Sequence, residues 1–263
     1  MTHPLTYRKT CRTAEQAEKE RTILQVLQTS SLRHLIPKPI GAQQNPLTVE
    51  MTHIEGTAPV QKDMVTHFLD QLGTALRQLH RFRPCSAFGS FDTDLGIPRR
   101  FATFGNFLDT QIEKWTLWHK AQHGSYLYDY AAWLHHELGQ LRNYFSDVKP
   151  IFCHGDIDTK NLIFRECKLV GLIDWEYAGA YCLAWELRKL PRVLRHDWQW
   201  QQLFTAYGAS VKTDQQLLTL AIHYLDVADL LGHLRWCIMR SLYSQEAETL
   251  QRMYTHFNPK EVN

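Results

Sequence analysis

The sequence predicts an α+β fold in which a small N-terminal part, made of strands and one helix, precedes a mainly helical C-terminal part. Residues 5–11 and 47–51 have strand-like patterns, and residues 14–28 between them have helical periodicity. After residue 57, most apolar side chains recur every three or four residues, as in amphipathic helices. A short hairpin at residues 161–173 interrupts this helical part. The fold class therefore follows from a few strands and many helices.

The composition is that of a globular protein. Of the 263 residues, 44% are apolar and 12% aromatic, which is enough to build a core. The 29 basic and 27 acidic residues give a net charge of +2, so the charge indicates neither a nucleic-acid nor a membrane partner. The N-terminus has no apolar signal core, and we find no apolar run long enough to span a bilayer. The 6 cysteines are scattered and form no C-x-x-C pair, so we expect reduced thiols and a cytoplasmic protein.

The helix at residues 14–28 carries a carboxylate on its apolar side. Glu20 lies on the same stripe as Leu24 and Leu27, and a carboxylate that faces a core needs a cationic partner. Alternation along the preceding strand favours Lys9 as that partner. The alternative is a solvated glutamate on a charged helix.

The remaining periodicity predicts one long loop among helices. The loop, residues 83–105, is rich in Gly, Pro, Asp and Ser, and such loops are often functional. The predicted helices are residues 65–82, 107–123, 126–145, 197–207 and 214–242, with a further helix that begins near residue 181.

Polar side chains stand at both outer ends of the predicted hairpin. His154, Asp156 and Asn161 precede it, and Asp174 follows it. Three oxygen-bearing side chains in one pocket suit magnesium-assisted phosphoryl transfer. One carboxylate takes up the proton of the attacking hydroxyl, while a carbonyl and a second carboxylate hold the metal. Alternatively, each residue only shapes a turn or caps a helix.

The spacing Asp-x-x-x-x-Asn, a hairpin and then Ile-Asp matches the catalytic and metal-binding loops of protein kinases, although Gly155 stands where protein kinases have Arg. His-Gly-Asp followed by Ile-Asp-Trp-Glu-Tyr-Ala-Gly resembles the aminoglycoside phosphotransferase and choline/thiamine kinase superfamily. The resemblance implies a protein-kinase-like fold, with ATP and Mg²⁺ as cofactors. It also implies a nucleotide-binding N-lobe and hinge at residues 1–56, and a helical C-lobe with the catalytic loop and acceptor site at residues 57–263.

Residue roles follow from the same resemblance. Asp156 is the expected catalytic residue, and Asn161 and Asp174 are the expected metal ligands. His154 and Glu186 are expected to support the catalytic loop, with Glu186 bracing it through hydrogen bonds.

In this superfamily, a cation paired with the helix glutamate grips the nucleotide phosphates. The helix pattern around Glu20 resembles the family's Glu-x-x-x-Leu-x-x-Leu. Some members have Arg where this strand ends, which favours Arg8 over Lys9, so both stay candidates for nucleotide binding.

The segment after the second strand, Thr52-His-Ile-Glu-Gly56, looks like the hinge between lobes. The resemblance then implies nucleotide contacts at Glu50, Thr52 and Ile54. In the family, two strands and a glycine-rich loop usually precede the lysine strand, whereas this sequence begins at that strand. We therefore expect either a fragment or a less covered nucleotide pocket.

The predicted function is ATP-dependent transfer of the γ-phosphoryl group to a hydroxyl of a small, amine-bearing molecule. Asp226 and Asp229, one turn apart on an apolar helix, are candidate contacts for the amine, or else an exposed pair beside Arg235. One alternative is a choline, ethanolamine or thiamine kinase, in which aromatics of residues 115–133 cage the ammonium group, although aromatics at helical spacing are more simply core. A nucleotide-binding pseudokinase or scaffold is the alternative from another class, suggested by the missing glycine-rich loop.

Overall fold

The computed structural model describes residues 5–41, 45–123, 126–208 and 215–257, without the side chains of residues 122, 123, 126–128, 256 and 257. The chain divides into two compact units. The first comprises Met1–Arg100 with Lys149–Thr213, and the second comprises Phe101–Val148 with Asp214–Asn263. This division reflects which residues contact one another. The predicted functional division near residue 56 stays a prediction.

Strands and helices, numbered in chain order, alternate in the first unit and give way to helices in the second. The first unit contains β1 (Thr6–Thr10), α1 (Ala14–Leu27), β2 (Thr48–Thr52), α2 (Thr66–His80) and β3 (Gly89–Ser90) before the second unit begins. The second unit contains α3 (Phe104–His123), α4 (Tyr126–Gly139), α5 (Arg142–Asp147), α8 (Gln215–Met239) and α9 (Tyr243–Phe257). The rest of the first unit contains β4 (Ile151–Cys153), β5 (Leu162–Arg165), β6 (Lys168–Leu172), β7 (Gly179–Tyr181), α6 (Leu183–Leu187) and α7 (Asp197–Tyr207).

The strands of the first unit form three small sheets. β1 and β2 are antiparallel, with Thr6 opposite Thr52, so the alternating sequence of β2 buries Val49 and Met51 on one face. β7 is the central strand between β3 and β4. β5 and β6 form the predicted hairpin, whose two turn residues both have positive φ, as the twist of a tight hairpin requires.

Helix α1 follows its sequence pattern closely. Thr13 caps its N-terminus, because the Thr13 hydroxyl accepts a hydrogen bond from the backbone N–H of Gln16 at 3.1 Å. Ala17, Leu24 and Leu27 are fully buried. The helix therefore buries one apolar face within the first unit, and Glu20 lies on that face.

Helices α2 and α7 pack against each other in the first unit. Gly73 makes this close approach possible, because a Cβ atom at that position would lie 2.6 Å from the backbone oxygen of Leu203. The pair supports the β5–β6 hairpin, since α2 also contacts β6.

The second unit is built around α8, which contacts α3, α4 and α9. Three details differ from the sequence expectation. The predicted helix at residues 126–145 is broken into α4 and α5, and the helix α9 was not predicted. By length and composition α8 could cross a membrane, with a most apolar stretch of mean hydropathy 1.3, which corrects the expectation that no run is long enough. The buried helix of a soluble core passes the same test, and 56% of this stretch is buried.

Candidate active site

The His-Gly-Asp loop begins where β4 ends, and its course depends on Gly155. This residue has φ of +80°, and a Cβ atom there would lie 2.2 Å from the backbone oxygen of Tyr177. Any side chain at position 155 would therefore clash with the turn that follows the hairpin. This explains why glycine stands between His154 and Asp156.

Glu186, near the end of α6, holds this loop through its carboxylate. Its two carboxylate oxygens accept hydrogen bonds from the backbone N–H groups of His154, at 2.9 Å, and Gly155, at 2.7 Å. The ring of His80 lies 3.4 Å from the same carboxylate. Glu186 is 0% exposed. Burial alone would raise the pKa of Glu186, but the hydrogen bonds that its carboxylate accepts, first from His80 and then from the backbone N–H of Gly155, outweigh burial and lower that pKa.

The ring of His154 ties the loop to the end of β6. The backbone N–H of Asp156 donates to Nδ1 of His154 at 3.3 Å, so Nε2 carries the ring proton and donates to the backbone oxygen of Ile173 at 2.8 Å. His154 is fully buried. It therefore supports the loop and fixes its distance from the hairpin.

Asp156 is 2% exposed, and both of its carboxylate oxygens are engaged. The side-chain amide of Asn161 donates to Oδ2 and to the backbone oxygen of Asp156, each at 2.8 Å. Lys189 contacts Oδ1, and Lys160 lies 3.6 Å from Oδ2. Burial would raise the pKa of Asp156, but the charges of Lys189 and Lys160 outweigh it and lower the pKa to about 2.

The hairpin brings Asn161 and Asp174 to the same end. The backbone N–H of Ile173 donates to the backbone oxygen of Asn161 at 3.0 Å, which places the two side chains on neighbouring strand ends. Asp174 has φ of +66° and ψ of +68°, a left-handed conformation that is unusual for a residue with a side chain. Such conformations are concentrated at functional sites.

Lys9 joins three elements through its ammonium group. Its Nζ lies 2.6 Å from Glu20 on α1, 2.6 Å from Oδ1 of Asp174 and 3.5 Å from Glu176. Burial would lower the pKa of Lys9, but the charges of Glu20 and Asp174 outweigh burial and raise it. Of the two candidate cations, Lys9 thus contacts Glu20. Arg8 is 66% exposed and pairs across the sheet with Glu50, at 2.8 Å from its Nε.

The residues of the predicted hinge lie where β2 ends. The backbone N–H and the hydroxyl of Thr52 each form a 2.8 Å hydrogen bond with the backbone of Lys38. Ile54 lines a cavity of about 1040 Å³ that also contacts α2 and β6. The lining of this cavity includes none of the carboxylates around Lys9. The volume of the cavity therefore gives no information about the site around Lys9. The hinge contacts to a nucleotide stay a prediction.

The donor set at the hairpin fits a magnesium ion. Carboxylate and amide oxygens are the hard ligands that Mg²⁺ prefers. The amide nitrogen of Asn161 is used by Asp156, which leaves its Oδ1 for a metal. Lys9 occupies only one oxygen of Asp174.

Asp226 and Asp229 lie one turn apart on α8 in the second unit, and both are buried. Asp226 pairs with Arg252 at 3.3 Å. They are therefore not an exposed pair.

Tyr130, among the aromatics of residues 115–133, is fully buried and donates to the backbone oxygen of Val227 at 3.1 Å, whereas Tyr126 and Tyr128 have side chains outside the described residues.

Sequence reasoning missed four charged residues that contact the site, one of which, Lys160, lies inside the Asp-x-x-x-x-Asn motif and 3.6 Å from Oδ2 of Asp156. Glu176 lies near Lys9, and Arg188 and Lys189 contact the His-Gly-Asp loop. The only signal was proximity in sequence. Glu176 follows Asp174 by two residues, and Lys189 follows Glu186 by three.

A protein-family model matches most of this chain. The model of the phosphotransferase enzyme family matches residues 6–237. No curated protein matches the chain.

Solved structures match over nearly the whole chain. The structure of the GDP and kanamycin complex of APH(2")-IIia has a TM-score of 0.74 at 15% identity, covering 97% of this chain and 87% of that one. An ethanolamine kinase of Plasmodium vivax has a TM-score of 0.68 at 13% identity, covering 96% and 75%. A macrolide 2'-phosphotransferase type I has a TM-score of 0.65 at 17% identity, covering 95% and 83%. These likenesses confirm the predicted kinase-like α+β fold.

Proposed function

The chain belongs to the phosphotransferase enzyme family, and we propose that it transfers the γ-phosphoryl group of ATP to a hydroxyl of a small, amine-bearing molecule. One observation supports this above the others. Lys9 on β1 forms ion pairs with Glu20 on α1 and with Asp174 at the end of the hairpin, and Asn161, which donates to Asp156, stands on the neighbouring strand end. That is the residue set that phosphoryl transfer uses.

The first unit supplies the nucleotide contacts in this proposal. Lys9, held between two carboxylates, contacts the phosphates, and the β2 end at Glu50, Thr52 and Ile54 contacts the base. Residues 1–56 thus serve nucleotide binding, and residues 57–263 supply the catalytic loop and the acceptor site. Most of the rate enhancement comes from positioning and charge neutralisation.

Asp156 acts on the acceptor. The hydroxyl oxygen attacks the γ-phosphorus, the bond to the β–γ bridging oxygen breaks, and its electron pair leaves with ADP. The hydroxyl proton passes to Asp156. Because neighbouring cations lower the pKa of Asp156, its carboxylate is anionic and mainly orients the hydroxyl, and the proton moves as the new bond forms.

Asn161 and Asp174 would hold magnesium. A bound magnesium ion neutralises charge on the nucleotide phosphates. The residues themselves contribute an amide oxygen and a carboxylate oxygen on adjacent strand ends.

The acceptor class is supported by the neighbours' names. One neighbour was solved with kanamycin and another is an ethanolamine kinase, and both names imply amine-bearing hydroxyl compounds. On this proposal Asp226 and Asp229 meet the amine through charge-assisted hydrogen bonds. Replacing both with Asn should raise the KM for the acceptor and leave the KM for ATP unchanged. Unchanged constants for both substrates would remove the two aspartates from recognition.

The test is a coupled assay for ADP with magnesium and ATP. The panel comprises kanamycin, gentamicin, ethanolamine, choline and thiamine, with the Asp156→Asn variant as the matched control. We expect ADP release above the water background with at least one acceptor, absent from the control. A chain that binds ATP in a thermal-shift assay but turns over none of a broadened panel is a binding protein, and a chain that binds no ATP refutes the proposal entirely.

A further inference from the structure

The segment from Glu186 to Lys189 contacts three consecutive residues of the His-Gly-Asp loop. Glu186 accepts from the backbone N–H groups of His154 and Gly155. Arg188 donates from Nη1 to the backbone oxygen of Gly155 at 2.9 Å. Lys189 then reaches the side chain of Asp156. The loop's N–H groups, its carbonyl and its carboxylate are thus all held by one short segment.

We propose that Lys189 is a positioning residue for the transfer reaction, and that its ammonium group fixes the carboxylate of Asp156 in the orientation that receives the acceptor hydroxyl. The inference rests on the proposed function. It adds a residue that lies outside the Asp-x-x-x-x-Asn motif and its hairpin.

The argument begins with the rotational freedom of a carboxylate. The torsion that turns the carboxyl plane of an aspartate is broad, so a single contact does not fix it. Asn161 holds Oδ2 of Asp156 at 2.8 Å. Lys189 donates to the other oxygen, Oδ1. With one contact on each oxygen, the plane is defined.

Lys189 is itself held in place, which distinguishes it from the other nearby lysine. Its side chain is 13% exposed, whereas that of Lys160 is 62% exposed and lies 3.6 Å from Asp156. The preceding residue, Arg188, is buried and lies over the ring of Trp185 at 4.1 Å. Ordering an exposed lysine costs side-chain entropy that a buried one has already lost on folding.

The contact leaves room for the acceptor. A carboxylate oxygen can accept more than one hydrogen bond, so Oδ1 can bind Lys189 and an acceptor hydroxyl together. The direction from which Lys189 approaches determines which side of Oδ1 remains for the hydroxyl. Lys189 therefore acts through Asp156 on the geometry of attack.

Charge gives a second reason why Asp156 needs Lys189 as its partner. A buried carboxylate without a cationic partner is unfavourable, and Asp156 is almost fully buried. Lys189 supplies the closest cation. Its removal should leave the loop in place, because the backbone contacts of Glu186 and Arg188 remain, but should release the carboxylate plane.

The test compares Lys189→Met, Lys189→Arg and Lys160→Met, with Lys168→Met at the exposed start of β6 as an unrelated lysine. The readout is ADP release from ATP and magnesium, with a panel acceptor if one is found and with water otherwise. We expect Lys189→Met to lower kcat about 100-fold at unchanged KM for ATP, since small misplacements of reacting groups have effects of this size. Lys189→Arg should restore part of the loss, and Lys160→Met should cost no more than about fivefold.

A double-mutant cycle decides whether Lys189 acts through Asp156. In an Asp156→Asn background, Lys189→Met should have less than about a threefold further effect on kcat. An undiminished effect in that background, or normal turnover of Lys189→Met alone, would overturn the proposal.

A second cycle uses the urea midpoint of unfolding and needs no activity. If the contact exists, the midpoint shifts of Lys189→Met and Asp156→Asn add up to more than the shift of the double variant. If the shifts are additive, the contact is absent and the inference is overturned. If no acceptor and no water reaction give ADP, the proposed function fails, and this cycle still decides whether Lys189 holds Asp156.

Discussion

Replacing Glu186 with Gln should destabilise the protein strongly although the two side chains have nearly the same shape. Glu186 is 0% exposed and accepts from the backbone N–H groups of His154 and Gly155 at 2.9 and 2.7 Å. In the Gln variant one acceptor oxygen becomes an NH2 group that faces a backbone N–H. One hydrogen bond is lost, and the backbone N–H is left facing another donor instead of an acceptor.

The magnitude follows from these contacts. A hydrogen bond to a charged group contributes about 1.5–3 kcal/mol, and an unsatisfied buried donor costs about 1–3 kcal/mol. The two effects overlap, so we expect a loss of about 3 kcal/mol in the free energy of unfolding. Stabilities of natural domains are about 5–15 kcal/mol, so this is a large fraction. It corresponds to a fall in Tm of roughly 6–12 °C.

Urea unfolding followed by circular dichroism measures this loss, with Glu166→Gln at the exposed hairpin turn as the matched control. The effect should depend on pH with a defined sign. Because the pKa of Glu186 is lowered in the folded state, its contribution is fully present above its unfolded pKa of about 4.3 and is lost as the pH falls through the folded pKa. The gap between wild type and variant should therefore shrink between pH 5 and pH 3, as a rough window. A loss below about 1 kcal/mol at pH 7, or a gap that widens in acid, would refute this reasoning.

Other predictions concern the proposed chemistry. Asp156→Asn should lower kcat by about two to four orders of magnitude, with ATP affinity within about twofold of wild type, because proton transfer and orientation act in the transition state; near-normal turnover would remove Asp156 from the mechanism. Asp174→Ala should weaken magnesium-dependent ATP binding in calorimetry more than Asn161→Ala, because a carboxylate neutralises charge and an amide does not; equal, wild-type affinity of both would refute the metal assignment. Lys9→Met should weaken ATP binding at least about tenfold, while Arg8→Met, which removes the ion pair with Glu50 and leaves the contacts of Lys9 in place, should change it less than about threefold; the reverse order would make Arg8 the phosphate contact.

Local patterns in the sequence predicted the elements that carry the site. The hairpin follows from two apolar runs around a polar turn, and α1 follows from its apolar stripe. Alternation on β1 favoured Lys9 over Arg8, and the structure places Lys9 on Glu20. These features depend on neighbours in sequence, which a pattern can record.

Contacts between distant segments were harder to predict. Lys189 meets Asp156 across 33 residues, and the segment that places it there is a short helix followed by an irregular turn. Periodicity contains no information on where such a turn directs one lysine. The break between α4 and α5 was missed for a similar reason, because both halves have apolar positions at helical spacing and only packing decides where the helix ends.

The close fit of Gly155 under the backbone of Tyr177 has an evolutionary consequence. A relative with a side chain at position 155 requires a different path for the three residues after Asp174, because the present path leaves no space for a Cβ atom. The two segments can therefore change only together, in a single correlated step. Among relatives of this chain, we expect the residue between the histidine and the aspartate to covary with the length or conformation of the turn that follows the hairpin.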